Sequence, residues 1–189
     1  MMRSAATKAA ALSFAVCAAC AFGTVLAQPK SDWELRLEER EGQEGEVKLP
    51  DYPKPENLIG FEASMATNFR FFVDSQSIEI GGGVVRYTLV ARSQSGSESI
   101  SFDGLRCKTK AHRVYATARP DKTWSRVRDS EWREMQPKTV MRQHFALMRD
   151  FFCPGAVPIL SRGEGIEALT RGIHPNAISN HSNTSSGPR

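Results

Sequence analysis

From Phe69 to Arg119 the chain reads FRFFVDSQSIEIGGGVVRYTLVARSQSGSESISFDGLRCKTKAHRVYATAR, with apolar residues mainly at every second position. A helix repeats its apolar face every three or four residues, so alternation at two marks strands. Gly and Ser clusters break the run at Gly81-Gly82-Gly83 and at Ser93 to Ser97. Breaks that short leave room only for tight turns, and strands joined by tight turns are antiparallel. The clearest strand is Val84 to Arg92, with Val85, Tyr87, Leu89 and Ala91 on one face and Val84, Arg86, Thr88, Val90 and Arg92 on the other. Ile100 and Phe102 resume an apolar face against Ser99, Ser101 and Asp103, and Asp103-Gly104 predicts a kink or bulge. His112, Val114, Ala116 and Ala118 then share a face whose small alanines would admit a helix. The Gly triplet opens a strand rather than a helix carrying Lys and Ser or Thr, which makes it a turn and not a phosphate loop.

The period changes further on. Val140, Met141, Phe145, Met148, Phe151 and Phe152 are spaced at threes and fours, which predicts a helix from Val140 to Phe152, approached by Pro137 and stopped by Pro154-Gly155. Thr123 to Val127 reads as one more strand burying Trp124 and Val127, Ser130 to Arg133 as an irregular link, and Ile159 to Arg171 as a last short helix. The predicted fold class is α+β: an antiparallel β-meander sheet of about five or six strands with a C-terminal helix packed on one face.

Compartment and boundaries follow from the ends. Arg3 and Lys8 precede an apolar run from Ala9 to Leu26 that closes in Val25-Leu26-Ala27, so residues 1–27 predict a cleaved signal peptide and a periplasmic or secreted protein. Cys17 and Cys20 lie in that run without the Leu-like residue three positions earlier that lipidation wants. Cys107 and Cys153 remain, and an even pair in an exported chain predicts one disulfide, tying the end of a strand to the end of the helix. Residues 28–57 predict an acidic, Pro-rich arm. Nine acids face four bases between Ser31 and Glu56, and Pro50, Pro53 and Pro55 withhold amide donors. Trp33 and Tyr52 are its expected anchors. Residues 58–172 are then the α+β domain, and 173–189, with almost nothing to bury, a disordered tail.

Asp32-Trp33-Glu34, the span from Phe69 through Val73, Arg86-Tyr87, Gly104-Leu105-Arg106-Cys107 and Phe151-Phe152-Cys153-Pro154 occur in an order that resembles the cryptic neisserial protein-like family, small exported proteobacterial proteins without an assigned activity. The resemblance spans most of the chain from Trp33 to Arg171. It implies location and fold, and it carries over no catalytic residue.

Chemistry is thinly marked. The histidines are His112, His144, His174 and His181, and no pair has helical ligand spacing with a third close by, so no metal and no cofactor are expected. His144 reads as a boundary residue beside the apolar stripe, and nothing in the sequence places a Ser or Asp next to His112. No nucleophile elbow, zinc-protease helix or paired-carboxylate signature occurs, so no catalytic residue is assigned. Charge is more informative. Leu105 to Arg149 holds twelve bases and four acids, opposite in sign to the arm. Arg106, Lys108, Lys110, Arg113, Arg119, Lys122, Arg126 and Arg128 are the candidate anion-binding residues, and the arm is expected to pack over part of this basic face. The function expected is non-enzymatic binding of an anionic envelope component or another envelope protein, with peripheral membrane contact and no nucleic acid. The alternative is an envelope hydrolase with a site assembled from scattered residues, betrayed by a deep polar cleft holding His112 or His144 beside a carboxylate.

Overall fold

The computed structural model describes residues 46–63, 68–135 and 141–177. The segment read as a signal peptide, the acidic start of the arm with Trp33, and the end of the tail lie outside the described residues. Seven described strands form one antiparallel sheet. β1 (Leu58–Phe61), β2 (Phe69–Gly81), β3 (Val84–Ser93), β4 (Glu98–Arg106), β5 (Ala111–Ala118) and β6 (Trp124–Arg126) pair in chain order. The meander is therefore as the alternation predicts, down to the hairpin between β2 and β3, where Gly82 and Gly83 take φ of 59° and 73°. The link from Ser130 to Arg133 is less irregular than expected, because β7 (Arg133–Glu134) pairs with the start of β5 at His112 and Ala111.

Two bulges break the alternation, and both matter for the site. In β2, Asp74 pairs with Thr88 and Glu79 with Arg86, so the intervening β2 residues loop out against Tyr87 alone. The Ser77 hydroxyl repairs the ladder there, accepting the Thr88 N–H at 2.7 Å and donating to the Asp74 carbonyl at 2.7 Å. In β5, Ala116 pairs with Phe102 and Val114 with Asp103, leaving Tyr115 as the extra residue. That insertion carries Tyr115 and Ala116 together onto the face of Phe102. Ala116 thus lies opposite the helices, contrary to the shared face read from His112 to Ala118, because one added residue inverts every later side chain.

On one sheet face, Val73, Val85, Tyr87, Leu89 and Leu105 pack against Leu147, Met148, Phe151, Phe152, Ala168 and Leu169. The expected single helix is two pieces, an α-turn α1 (Arg142–Ala146) and a π-helical stretch (Leu147–Phe152). The Cys153 N–H reaches back five residues to the Met148 carbonyl at 2.9 Å. This wider turn lets Leu147, Met148, Phe151 and Phe152 all enter the core, each worth roughly 1.5–3 kcal/mol on burial. The π stretch ends at Cys153, which is disulfide-bonded to Cys107 with Cα atoms 5.3 Å apart. Helix α2 (Arg162–Arg171) follows, capped by Ser161 Oγ accepting the Glu164 N–H and by Gly172 at φ 81°.

Packing continues past the boundary expected at 172. The His174 N–H donates to the Asp150 carbonyl at 2.7 Å, its Nε2 meets Glu164 Oε1 at 2.9 Å, and His174 and Ala177 are both buried. Composition misled here because a polar ring, not an apolar run, docks the segment.

The other sheet face is covered too. Phe102, Tyr115 and Ala116 pack against Val47, Leu49, Trp124 and Trp132, so the described part of the arm lies on the sheet. Prolines lack amide donors but keep their carbonyls, and the sheet supplies the donors. Trp124 Nε1 reaches the Pro50 carbonyl at 2.8 Å and Arg126 Nη2 the Val47 carbonyl at 3.1 Å. Tyr52 adds an aromatic contact to Trp124, with ring centroids 6.3 Å apart. Val127, expected to be buried, is exposed. No helix among the described residues is long and apolar enough to cross a membrane.

Candidate functional site

Three adjacent strands and α1 bring four polar side chains into the apolar layer. Register sets Tyr87 of β3 opposite Asp103 of β4, and His112 of β5 opposite Leu105, two residues further along. Cross-strand partners share a face, so all three point toward the helices, where His144 of α1 closes over them. The His112 and His144 rings lie 3.8 Å apart between centroids, and Tyr87 Oη is 2.9 Å from His144 Nδ1. Asp103 Oδ2 accepts the Ser101 hydroxyl at 2.7 Å. Its Oδ1 stands 3.5 Å from His112 Nε2, within ion-pair distance but without hydrogen-bond geometry.

Every member is sealed from solvent: Asp103 and Tyr87 are 0 % exposed, His112 3 % and His144 6 %. Burial pushes the His144 pKa down to about 4 against the opposing charge of Asp103, so the ring is neutral at physiological pH. Burial likewise raises the Tyr87 phenol, helped by the Asp103 charge, and keeps its proton on. Asp103 Oδ1 and His112 Nε2 have no hydrogen-bond partner, and an unsatisfied buried polar atom costs about 1–3 kcal/mol. Read from sequence, His144 was a boundary residue and His112 had no carboxylate near it. Both expectations are corrected, since Asp103 faces the helices. Phe102 is on the other face because the arm makes that face a second apolar layer.

The eight candidate anion-binding residues do not converge. Lys108 and Lys110 lie in the β4–β5 turn, while Arg119 and Lys122 lie beyond the other end of β5, a strand about 23 Å long at 3.3 Å per residue. Arg106, beside that turn, stacks over Trp132 at 4.3 Å, and further along β5 Arg113 stacks over Tyr115 at 5.1 Å, with Arg113 Nε donating to Ser130 Oγ at 3.1 Å. Arg119 Nη2 donates to Ser125 Oγ at 3.2 Å, Arg126 holds the arm, and Arg128 is exposed. The arm therefore meets the basic region through backbone carbonyls and apolar side chains; most of its acids lie outside the described residues.

A cleft of about 460 Å³ opens between the arm and the β2 bulge. Its walls include Lys48, Tyr52 and Lys54 from the arm, Asp74, Gln76, Ser77 and Glu79 from β2, and Arg162 from α2. Asp74 is the unusual wall residue. Only 3 % exposed, its carboxyl is raised above the ordinary carboxylate value by burial, which the Gln76 N–H at 3.0 Å and the Arg162 charge only partly offset. Nothing in the alternation of β2 announced this cleft, because the bulge that forms it is a three-dimensional repair by Ser77. The Asp-Ser-Gln-Ser break in apolar residues from Asp74 to Ser77 was its only trace in the sequence.

Comparison with curated proteins and with solved structures finds no match for this chain. Over residues 37–170, which include the whole described sheet, both disulfide-bonded cysteines and every residue of the buried cluster, the chain matches the CNP1-like family and belongs to it.

Proposed function

We propose that this CNP1-like protein is exported to the cell envelope and acts there by binding, with the cleft between the arm and the β2 bulge as its ligand seat. The observation that carries the reading is Asp74, a carboxylate held at a buried position against its ordinary tendency to ionise in water, facing a cleft of ligand size. Its bond from the Gln76 N–H and the Arg162 charge only partly offset the cost of burying it, and costly polar groups gather where function needs them. Lys48, Lys54 and Arg162 set against Asp51, Asp74 and Glu79 suit a small ligand bearing both charge signs, such as a peptide-bearing fragment of the cell-wall polymer. Export is supported by the Cys107–Cys153 bond, which persists in oxidising compartments, and by the basic, Ala-rich start of the chain. Against the hydrolase alternative, His112 does stand beside a carboxylate, but both histidines are sealed and neither lines this cleft.

The test is calorimetric titration of the oxidised protein with soluble cell-wall fragments, alongside Asp74→Asn. Saturable binding that weakens about tenfold or more in the variant supports the reading, since loss of one charge-assisted hydrogen bond is worth about 1.5–3 kcal/mol. Equal binding by both proteins, or none at millimolar concentration, overturns it.

A further inference from the structure

Asp103, His112 and His144 offer one ligand atom each, and these three atoms all lie within 4.8 Å of one another. From this convergence we propose that the buried cluster between the sheet and α1 is a binding site for one divalent transition-metal ion, zinc by its donor chemistry. The proposal is independent of the cleft and its ligand.

The spacing fits. Four-coordinate zinc with bonds of about 2.0–2.1 Å sets its ligand atoms roughly 3.4 Å apart. Asp103 Oδ1 and His112 Nε2 stand at 3.5 Å, and these are the two atoms of the pair that the protein leaves without a hydrogen bond. A proton shared between them would need a linear approach, which the geometry does not give. A cation between them satisfies both lone pairs at once.

The outer partners fit as well. Asp103 is anchored through its other oxygen by Ser101, and His144 through Nδ1 by Tyr87, which leaves Nε2 to coordinate in the tautomer that donates Nδ1–H to the phenol oxygen. Such supports orient ligands and are half of what makes a metal site. Two imidazoles and one carboxylate are nitrogen-rich for calcium or magnesium, which take oxygen donors, and lack the thiolate or thioether that selects cuprous copper. Three protein ligands leave a fourth position open, as in zinc sites that do chemistry rather than those that only brace a fold. The site spans β4, β5 and α1, so the metal would enter as the helix closes on the sheet.

Because the cluster is sealed, loading is tested by refolding. The full chain, disulfide intact, is unfolded in urea with a chelator, exchanged, and refolded with Co²⁺ as a spectroscopic stand-in for zinc. One equivalent bound, with the intense visible absorption of four-coordinate cobalt and a raised Tm, is the result expected. His112→Gln should lower affinity by about a hundredfold or more, while His174→Gln, whose ring is occupied by Glu164, should bind as the parent does. Should His112→Gln fail to refold, Asp103→Asn or Tyr87→Phe read by the same cobalt spectrum takes its place, with weakened binding expected from either. The proposal is overturned if the refolded parent takes up no cobalt or zinc, or if it takes up metal that all of these variants bind equally.

Discussion

Cys107, just past the end of β4, and Cys153, at the end of the π-helical stretch, are bonded across 46 residues with their Cα atoms 5.3 Å apart. The bond joins the two elements that the main core holds together, and both sulfurs are buried. Closing a loop of this length restricts the unfolded chain by about 4 kcal/mol on the entropy model, a large part of what a domain this size possesses. Cys107→Ala with Cys153→Ala should therefore lose about that much in urea unfolding. A loss below about 1 kcal/mol would mean that the apolar contacts of Phe151 and Phe152 alone hold the helix to the sheet.

Gly104 lies directly beneath the Tyr115 ring. A Cβ there would sit 2.8 Å from both the Tyr115 Cε2 and Oη and 3.2 Å from the Trp132 Cη2. The β5 bulge turns Tyr115 onto this face, where it is buried, so the ring must shift within packed surroundings to admit the methyl. Gly104→Ala is expected to cost about 1–3 kcal/mol by overpacking. The Trp132 emission should shift with it, since the indole must move. An unchanged Tm and spectrum would show that the two rings yield freely.

How far the sequence discloses such details depends on whether the alternation runs unbroken. From Val84 to Arg92 it does, and both faces of β3 are as read. At Tyr115 one inserted residue inverts the pattern, and Ala116 and Ala118 are too small and too alike to betray the change. The alternation sets Asp103 with Ser99 and Ser101 on the face opposite Ile100 and Phe102, and nothing in it says which of the two faces meets the helices. It is the arm, far away in sequence, that turns the opposite face into a second core and so sends Phe102 there. The π stretch hid behind a spacing of threes and fours that an α-helix satisfies equally well. His174 gave no apolar signal at all, because its docking is by hydrogen bonds. The buried cluster was thus beyond reach: each member was visible, and the register that assembles them was not.

Trp124 holds the arm by a single directed bond from Nε1 to the Pro50 carbonyl at 2.8 Å, added to ring packing against Phe102 and Tyr52. Trp124→Phe keeps much of the packing and removes the donor, so a loss of about 1 kcal/mol is expected. The local effect should exceed the global one. Hydrogen exchange and proteolysis at residues 46–54 should quicken well before the sheet amides respond. If the arm stays as protected as before, apolar burial of Val47 and Leu49 is sufficient to seat it.

Asp74 gives the pH dependence, and its sign is fixed by the direction of its shift. Burial raises the folded-state pKa above the ordinary 3.8, with the Gln76 N–H and Arg162 only partly compensating. A carboxyl that holds its proton more tightly folded than unfolded lowers stability as pH rises through the window just above 3.8, and the loss persists at neutrality. Asp74→Asn retains an oxygen to accept the Gln76 N–H and never ionises. The variant should match the parent in urea unfolding near pH 3 and become the more stable of the two as pH climbs past the usual carboxylate range. Were the two curves parallel at every pH, the Asp74 carboxylate would be no strain on the fold, and its place in the cleft would need no ligand to explain it.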